Sequence, residues 1–203
     1  MNSATSQLAD QLVREASIYT LDRLNKSGPP PPAHPGVYGW WFLEGALPMV
    51  PTMRCLKRED RSLLYAGIAR KHLRQKTPTT LHDRIVDCHI YGKATNSTLR
   101  ASLRLLLEKQ LGTIPAPISP KNWGFSPAAE SELNKWTLRN AAVNWIVVDD
   151  HHARRGLEDY LIQTYDLPLN LDGNNKHPFH GLLAALRHIA DLRANTSNRF
   201  RRR

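Results

Sequence analysis

The stretch GVYGWWF, residues 36–42, is rich in aromatic and β-branched residues and comes soon after a run of four prolines. A second stretch of the same character, SLLYAGI, occupies residues 62–68. Short runs of this composition between turn-forming or charged residues are typical of buried strands. We predict two paired strands that place Tyr38 and Tyr65 on neighbouring strands of one sheet. The proline-punctuated residues 43–61 predict a long connecting loop.

A third strand and several helices complete the predicted fold. AVNWIVVDD, residues 142–150, is the third β-prone run. Apolar residues recur at helical spacing elsewhere, with Thr79 or Thr80 and then Ser97 as helix caps. The predicted helices span residues 7 to about 25, 80–89, 98–111, 130–140, 156–167 and 181–194. The predicted fold class is α+β: a small, mainly three-stranded antiparallel sheet flanked by helices, with an extra N-terminal helix.

The chain is predicted to divide into four segments. Residues 1–26 carry the N-terminal helix, and residues 27–35 form a proline-rich linker. Consecutive prolines lack backbone donors and favour an extended, stiff chain, although a proline-rich partner motif is the alternative interpretation. Residues 36–192 form the main domain, and residues 193–203 form a basic tail.

The charge balance favours a polyanionic partner. The chain has 28 Lys and Arg against 18 Asp and Glu, which gives a formal net charge of +10 and a pI near 9.9. Such a surplus favours polyanionic partners, above all nucleic acid. The tail is either a solvated end or an arm that follows phosphates. The candidate contacts are Arg100 and Arg104, predicted to share an exposed helix edge, and the tail residues Arg199, Arg201, Arg202 and Arg203.

The composition also predicts where the protein resides. Its two cysteines, Cys55 and Cys88, make no disulfide framework. The N-terminal residues lack a hydrophobic signal core, and no apolar run approaches membrane-spanning length. We therefore expect a soluble, cytoplasmic protein with no membrane partner. The histidines at 151, 152, 177 and 180 have no cysteine or acidic partner at regular spacing, so no zinc is expected.

Several polar residues become informative only as an ordered set. Taken singly, strand tyrosines usually pack in cores and helical glutamates usually face solvent. In order, Gly36-Val37-Tyr38 and Tyr65-Ala66-Gly67 match the two motifs that name the GIY-YIG nuclease superfamily, which this chain resembles. The remaining positions of that family are matched by Arg84, His89, Glu158 and Asn170.

The resemblance covers roughly residues 35–182. The phrases STLR and LPLNLDGNNKHPFH make the chain similar to a group of small, stand-alone bacterial members. Two features depart from the usual pattern: alanine occupies position 66 in place of isoleucine, and the interval between the two motifs is long. The step from Arg84 to His89 also exceeds the four-residue step that aligns side chains on an α-helix.

The resemblance implies a specific chemistry. Glu158 would hold one Mg²⁺ or Mn²⁺ ion, a type of ion that prefers oxygen ligands and keeps most of its waters. Arg84 is permanently charged and suits a bidentate clamp on the phosphate. Tyr65 is the expected base and Tyr38 its orienting partner, although a phenol with a pKa of about 10 needs basic or metal neighbours to act at neutral pH. His89 could share or take over this role, while Asn170 would hold the site or the substrate backbone.

The expected activity is therefore divalent-metal-dependent cleavage of DNA. Two alternatives remain open from the sequence. A nucleic-acid-binding module could keep the fold without catalysis, since basic charge supports both functions. A protein-interaction factor could instead use the N-terminal helix and the proline segment.

Overall fold

The computed structural model describes residues 3–69, 79–112, 116–119 and 122–200. The strands are β1 Tyr19–Thr20, β2 Gly36–Leu43, β3 Lys57–Arg58, β4 Arg61–Ile68, β5 Ala116–Ser119, β6 Asn122–Gly124 and β7 Ala141–Val147. The α-helices are α1 Ser3–Asp10, α2 Leu21–Lys26, α3 Thr98–Leu106, α4 Glu108–Leu111, α5 Pro127–Asn140, α6 His151–Thr164 and α7 His180–Phe200. The π-helices Gln11–Glu15 and Asp83–Ile90 and the 3-10 helix Ala94–Asn96 are also present.

The α+β class is confirmed, but the prediction of a three-stranded sheet is wrong. The main sheet has five antiparallel strands in the order β1-β7-β2-β4-β3. The three predicted strands are β2, β4 and β7, which lie at its centre. The two additional strands, β1 and β3, contain two residues each, which is too short for a periodic pattern to be detected. β5 and β6 form a separate two-stranded sheet.

Both faces of the sheet are buried, which explains the continuous apolar character of β2. Successive side chains of a strand point to opposite faces. Tyr38, Trp40 and Phe42 therefore enter a core that also includes residues of the π-helix Asp83–Ile90, α3 and α5. Trp41 lies on the other face, in a core to which α1 and α6 contribute.

The N-terminal segment is not the single helix predicted for residues 7 to about 25. After α1 and a π-helical turn the chain extends, and β1 pairs with β7, with Tyr19 opposite Val143. α2 then begins, and the Thr20 side chain accepts a backbone N–H of its first turn. The break is decided by pairing with a strand more than a hundred residues away, which local helical periodicity does not report.

The proline segment lies against the main domain. The backbone N–H of Leu81 donates to the carbonyl of His34 at 2.8 Å, and that of Val148 donates to the carbonyl of Pro35 at 3.2 Å. These bonds tie the end of the segment to the start of a helix and to the end of β7. The division of the chain into four segments stays a prediction.

The prediction that Arg100 and Arg104 share an exposed edge is wrong, because both residues are fully buried. Arg100 donates to the carbonyls of His89 at 3.1 Å and Ile90 at 2.6 Å, and it forms an ion pair with Glu130. Arg104 lies over the ring of Phe125. The error arises because α3 is covered on its polar side as well as its leucine side, so these guanidinium groups are enclosed within the fold.

The last described residues are helical, since α7 continues to Phe200. The side chain of Arg199 and the whole of Arg201, Arg202 and Arg203 lie outside the described residues, so their contacts with DNA stay predictions. Although α7 has 21 residues, neither it nor another helix in the described part of the chain is apolar and long enough to cross a membrane.

Candidate active site

A cleft of about 330 Å³ opens beside the end of the sheet at which β2 starts and β4 ends. Antiparallel pairing brings the first half of β2 next to the second half of β4, while α6 and the loop after it pass close to both. Five of the six predicted site residues line this cleft: Tyr38, Tyr65, Arg84, Glu158 and Asn170.

The glycine opposite Tyr38 leaves room for the tyrosine side chain. Tyr38 pairs with Gly67 across β2 and β4. A Cβ atom added to Gly67 would lie 2.6 Å from the Tyr38 Oη atom, closer than non-bonded atoms can approach. The glycine of the Tyr65-Ala66-Gly67 motif is therefore required by the position of the Tyr38 hydroxyl.

A π-helix explains the five-residue step between Arg84 and His89. Its hydrogen bonds join residues five apart, as shown by the N–H of Tyr91, which donates to the carbonyl of Val86 at 3.0 Å. In an α-helix a five-residue step passes a full turn by about 140°, and the wider turn of a π-helix makes this offset much smaller, so side chains five residues apart can face the same side. Arg84 and His89 therefore both lie beside Tyr38, although an α-helix would have separated them.

His89 is the sixth predicted residue, and it lies behind Tyr38 rather than in the cleft wall. Its Nε2 atom is 2.7 Å from the Tyr38 Oη atom, and its Nδ1 atom is 2.7 Å from the Ser97 Oγ atom. Ser97 also accepts the backbone N–H of Arg100 as the cap of α3. Ser97 was predicted only as a helix cap, and no local signal in the sequence indicated its second role beside the imidazole.

The imidazole of His89 is neutral at physiological pH. Burial lowers its pKa well below the usual range, and the positive charges of Arg84 and Arg100 lower it further. A neutral imidazole has one donor and one acceptor nitrogen. In the tautomer that donates Nδ1–H to Ser97, the Nε2 atom accepts the hydroxyl proton of Tyr38.

The two tyrosines differ in how strongly their protons are held. Burial raises the pKa of Tyr38, while the charge of Arg84 and a hydrogen bond to it act in the opposite direction. Burial raises the pKa of Tyr65 well above the usual range, and Tyr38 adds to this increase. Both phenols are protonated at neutral pH, and Tyr38 is the one that has a neutral imidazole at hydrogen-bond distance.

Arg84 lines the cleft, and part of its guanidinium group is hydrogen-bonded within the fold. Its Nη1 atom donates to the Cys88 sulfur at 3.3 Å. Its Nε atom is buried and has no hydrogen-bond partner among the described residues. Arg84 also shares a hydrogen bond with Tyr38. Because Arg84 lines the cleft and a guanidinium group carries five N–H donors, donors remain there for a phosphate oxygen.

Glu158 supplies one of the carboxylates that line the cleft. Its side chain is 14% exposed and lies 4.0 Å from Arg155 Nη1. Asp159 and Asp172 also line the cleft, so the available protein ligands there are oxygen atoms. Oxygen ligands in a water-accessible cleft fit Mg²⁺ or Mn²⁺ and do not suit a soft metal.

A different group of candidate metal ligands lies away from this cleft. Within the described residues, ligand atoms of His82, Asp83 and Asp87 lie within 4.8 Å of one another. None of the three lines the cleft. The Asp83 carboxylate instead accepts the backbone N–H of Thr80 at 2.7 Å, and Thr80 in turn accepts the N–H of Asp83, which confirms Thr80 as the helix cap.

Asn170 fixes the strand that carries Tyr65. Its Oδ1 atom accepts the backbone N–H of Ala66 at 2.9 Å, and its Nδ2 atom donates to the carbonyl of the same residue at 2.8 Å. The side chain thus pairs with β4 as a neighbouring strand would. Both hydrogen bonds therefore hold β4, and with it Tyr65, in position.

The tryptophans of the main sheet and of α5 pack within the fold. Trp40, Trp41 and Trp136 are buried in the cores. Trp145 is partly buried and stacks on Tyr19, with ring centroids 5.0 Å apart. The side chain of Trp123 lies outside the described residues.

Comparison with models of known families gave one match that bears on this cleft. Residues 36–189 match the model described as the GIY-YIG catalytic domain. The matched range begins at the first residue of β2 and ends within α7, so it includes the five predicted residues that line the cleft and the buried His89. Comparisons with curated proteins and with solved structures gave no match.

Proposed function

The chain belongs to the GIY-YIG nuclease superfamily, and on that premise we propose that it is a divalent-metal-dependent endonuclease that hydrolyses phosphodiester bonds in DNA. One observation supports this proposal above the others. Two phenols, a guanidinium group and a carboxylate, from β2, β4, a π-helix and α6, line one water-accessible cleft. Phosphodiester hydrolysis needs a base for water, positive charge at the phosphoryl oxygens and support for the departing alkoxide.

Tyr38 and His89 form the proposed proton-accepting pair. A phenol alone is a poor base at neutral pH. As the Tyr38 hydroxyl takes a proton from the attacking water, it can pass its own proton to Nε2 of His89, so no free phenolate is needed. This arrangement favours Tyr38 as the base, with Tyr65 orienting the water, which reverses the roles that the family resemblance implied.

Arg84 is proposed to bind the non-bridging oxygens of the scissile phosphate. Its charge is placed before the reaction begins, and its partly buried setting strengthens electrostatic stabilisation of the developing negative charge. The same charge opposes protonation of His89, so it keeps the imidazole neutral before the reaction and also makes it a weaker base during the reaction.

Glu158 would hold the metal ion, together with water in the cleft. When bound, such an ion supplies Lewis-acid stabilisation of the phosphoryl and leaving oxygens. Arg155 lies 4.0 Å from the carboxylate and orients it at the rim of the cleft.

DNA is the proposed substrate because of the net charge of +10. The same charge also supports a module that binds nucleic acid without cleaving it. The two functions differ in their need for metal, since a binding module would bind DNA in its absence and leave every phosphodiester bond intact.

Cleavage assays with the full-length protein test the proposal. Supercoiled, single-stranded, flapped and branched DNA would be incubated with Mg²⁺ or Mn²⁺. We expect the wild type to cleave at least one form and Glu158→Ala to cleave none. Glu132→Gln is the control and should cleave normally, because Glu132 only forms an exposed ion pair with Lys135 on α5. Absence of cleavage in every form, or cleavage by Glu158→Ala at the wild-type rate, would contradict the proposal.

A further inference from the structure

The active-site cleft adjoins a second cleft. This second cleft of about 500 Å³ shares Thr98, Leu171 and Asp172 with it. The rest of its lining comes from one face of α7, called here the α7 face: His180, Ala184, Arg187, His188 and Asp191. These positions recur at three- and four-residue steps, so they form one continuous stripe along the helix.

We propose that a substrate strand whose scissile phosphate lies beside Arg84 continues over Thr98 and Leu171 onto the α7 face, where Arg187 binds a second phosphate. This inference rests on the proposed function, because it assumes a nucleic-acid substrate in the active-site cleft. It adds a direction for the strand and a specific residue that binds it outside the catalytic centre.

Arg187 is the residue of the α7 face best suited to a phosphate. It is half-buried, and in the described part of the chain its side chain has neither a hydrogen-bond partner nor an ion-pair partner. By contrast, Arg193, further along the same helix, is paired with Glu108 at 2.8 Å. An arginine whose charge is not used by the fold, on the wall of a cleft joined to the active site, is available for an anionic ligand.

The length of the α7 face matches a short run of nucleotides. At about 1.5 Å per residue, the distance along the helix from His180 to Asp191 is about 16 Å. Nucleotides of one duplex strand rise by about 3.4 Å each, so the face extends over about five of them. Ala184 lies near its middle, and its small side chain leaves room for a backbone to approach the helix.

The acidic residues restrict where the phosphate can bind. Asp172 lies at the junction of the two clefts, and Asp191 lies one helical turn beyond Arg187. Both carboxylates repel phosphate, so the favourable position is between them, where His180 and His188 can each donate one ring N–H. A single phosphate contact is therefore expected, rather than a continuous basic track.

Binding without catalysis tests the contact at Arg187. A labelled oligonucleotide of the form that the wild type cleaves would be titrated in EDTA over a range of KCl concentrations. Loss of one phosphate contact makes the slope of log K against log[KCl] shallower by about 0.7 to 0.9 and weakens binding about five- to eightfold at 0.1 M salt. We expect this change for Arg187→Ala, and we expect Arg187→Lys to restore the slope because the charge returns.

Arg193→Ala is the matched control, because it removes the same charge from an exposed part of the same helix. Single methylphosphonate substitutions along the strand would then locate the contact. One position outside the scissile phosphate should weaken wild-type binding, and Arg187→Ala should lose sensitivity at that position alone.

The outcomes separate the two proposals. Suppose that the wild type cleaves DNA, and that Arg187→Ala and Arg193→Ala bind DNA with equal affinity and equal salt slopes. This result would overturn the contact on the α7 face and leave the nuclease proposal intact. Wild-type protein that neither binds nor cleaves any DNA form would overturn the nuclease proposal and this inference with it. Circular dichroism of each variant would confirm that a loss of affinity is not a loss of fold.

Discussion

The Tyr38 Oη atom lies 2.7 Å from Nε2 of His89, although 51 residues separate the two along the chain. Both side chains are fully buried, and Ser97 contacts the second nitrogen of the ring. The hydroxyl at the cleft is therefore backed by a proton acceptor that solvent does not reach. We expect this relationship, rather than the tyrosine alone, to determine the activity.

Removing the acceptor should slow cleavage without removing the site. A general base contributes about 100-fold to 10,000-fold to a rate. We expect His89→Gln to lower kcat for DNA cleavage within that range while DNA affinity in EDTA stays close to wild type. Tyr38→Phe should give a loss of similar size, and the double variant should lose no more than either single variant, because the two residues act as one unit. Additive losses would contradict a shared role.

The same histidine should make stability depend on pH. Its pKa is far below the usual value of about 6.5 in the folded protein, whereas the unfolded chain protonates normally. As the pH falls below about 6.5, the unfolded state therefore binds more protons, and the free energy of unfolding falls by up to about 1.4 kcal/mol per pH unit until the folded pKa is reached. Urea unfolding at several pH values would show this slope, and His89→Gln should reduce it.

Gly67 should not tolerate even a methyl group. Its added Cβ would meet the Tyr38 Oη atom at 2.6 Å and displace it from His89. We expect Gly67→Ala to reduce cleavage by about 100-fold, as for loss of the base, and to cost about 1–3 kcal/mol of stability through overpacking. Gly156→Ala is the matched control, because an added Cβ meets open space on α6 and should stabilise the helix by about 0.5–1 kcal/mol. Equal cleavage by the two variants would contradict the constraint on Tyr38.

The side chain of Asn170 should stabilise the folded protein as well as position the site. Asn170→Ala leaves the N–H and carbonyl of Ala66 without their side-chain partner, which we expect to cost about 2–4 kcal/mol. Asn170→Asp keeps the acceptor and loses the donor, so its cost should be about half of that. Urea unfolding measures both variants, and equal stability of the alanine variant and wild type would show that strand β4 does not depend on this side chain.

The sequence predicted those parts of the site that depend on order and residue type. The ordered set from Tyr38 to Asn170 converges on one cleft because the family pattern specifies which elements meet. The π-helix was not predicted, because helical periodicity assumes the turn of an α-helix. In an α-helix the five-residue step from Arg84 to His89 would separate the two side chains. β1 was missed because Tyr19 and Thr20 pair with a distant strand. Such errors come from long-range pairing and packing, which local patterns do not contain.

The two buried arginines of α3 should behave oppositely when replaced, and neither should affect DNA affinity. Arg100 is held by two carbonyls and Glu130, so Arg100→Met leaves a carboxylate unpaired and should cost about 3–5 kcal/mol. The three side-chain nitrogens of Arg104 have no hydrogen-bond partner among the described residues, and burial lowers its pKa to about 10. Arg104→Met removes the cost of burying this charge and loses its contact with the Phe125 ring, while keeping an apolar stem, so stability should be unchanged or higher. Thermal unfolding separates the two variants. A weaker affinity for DNA in folded Arg104→Met would show that its guanidinium reaches the substrate after all.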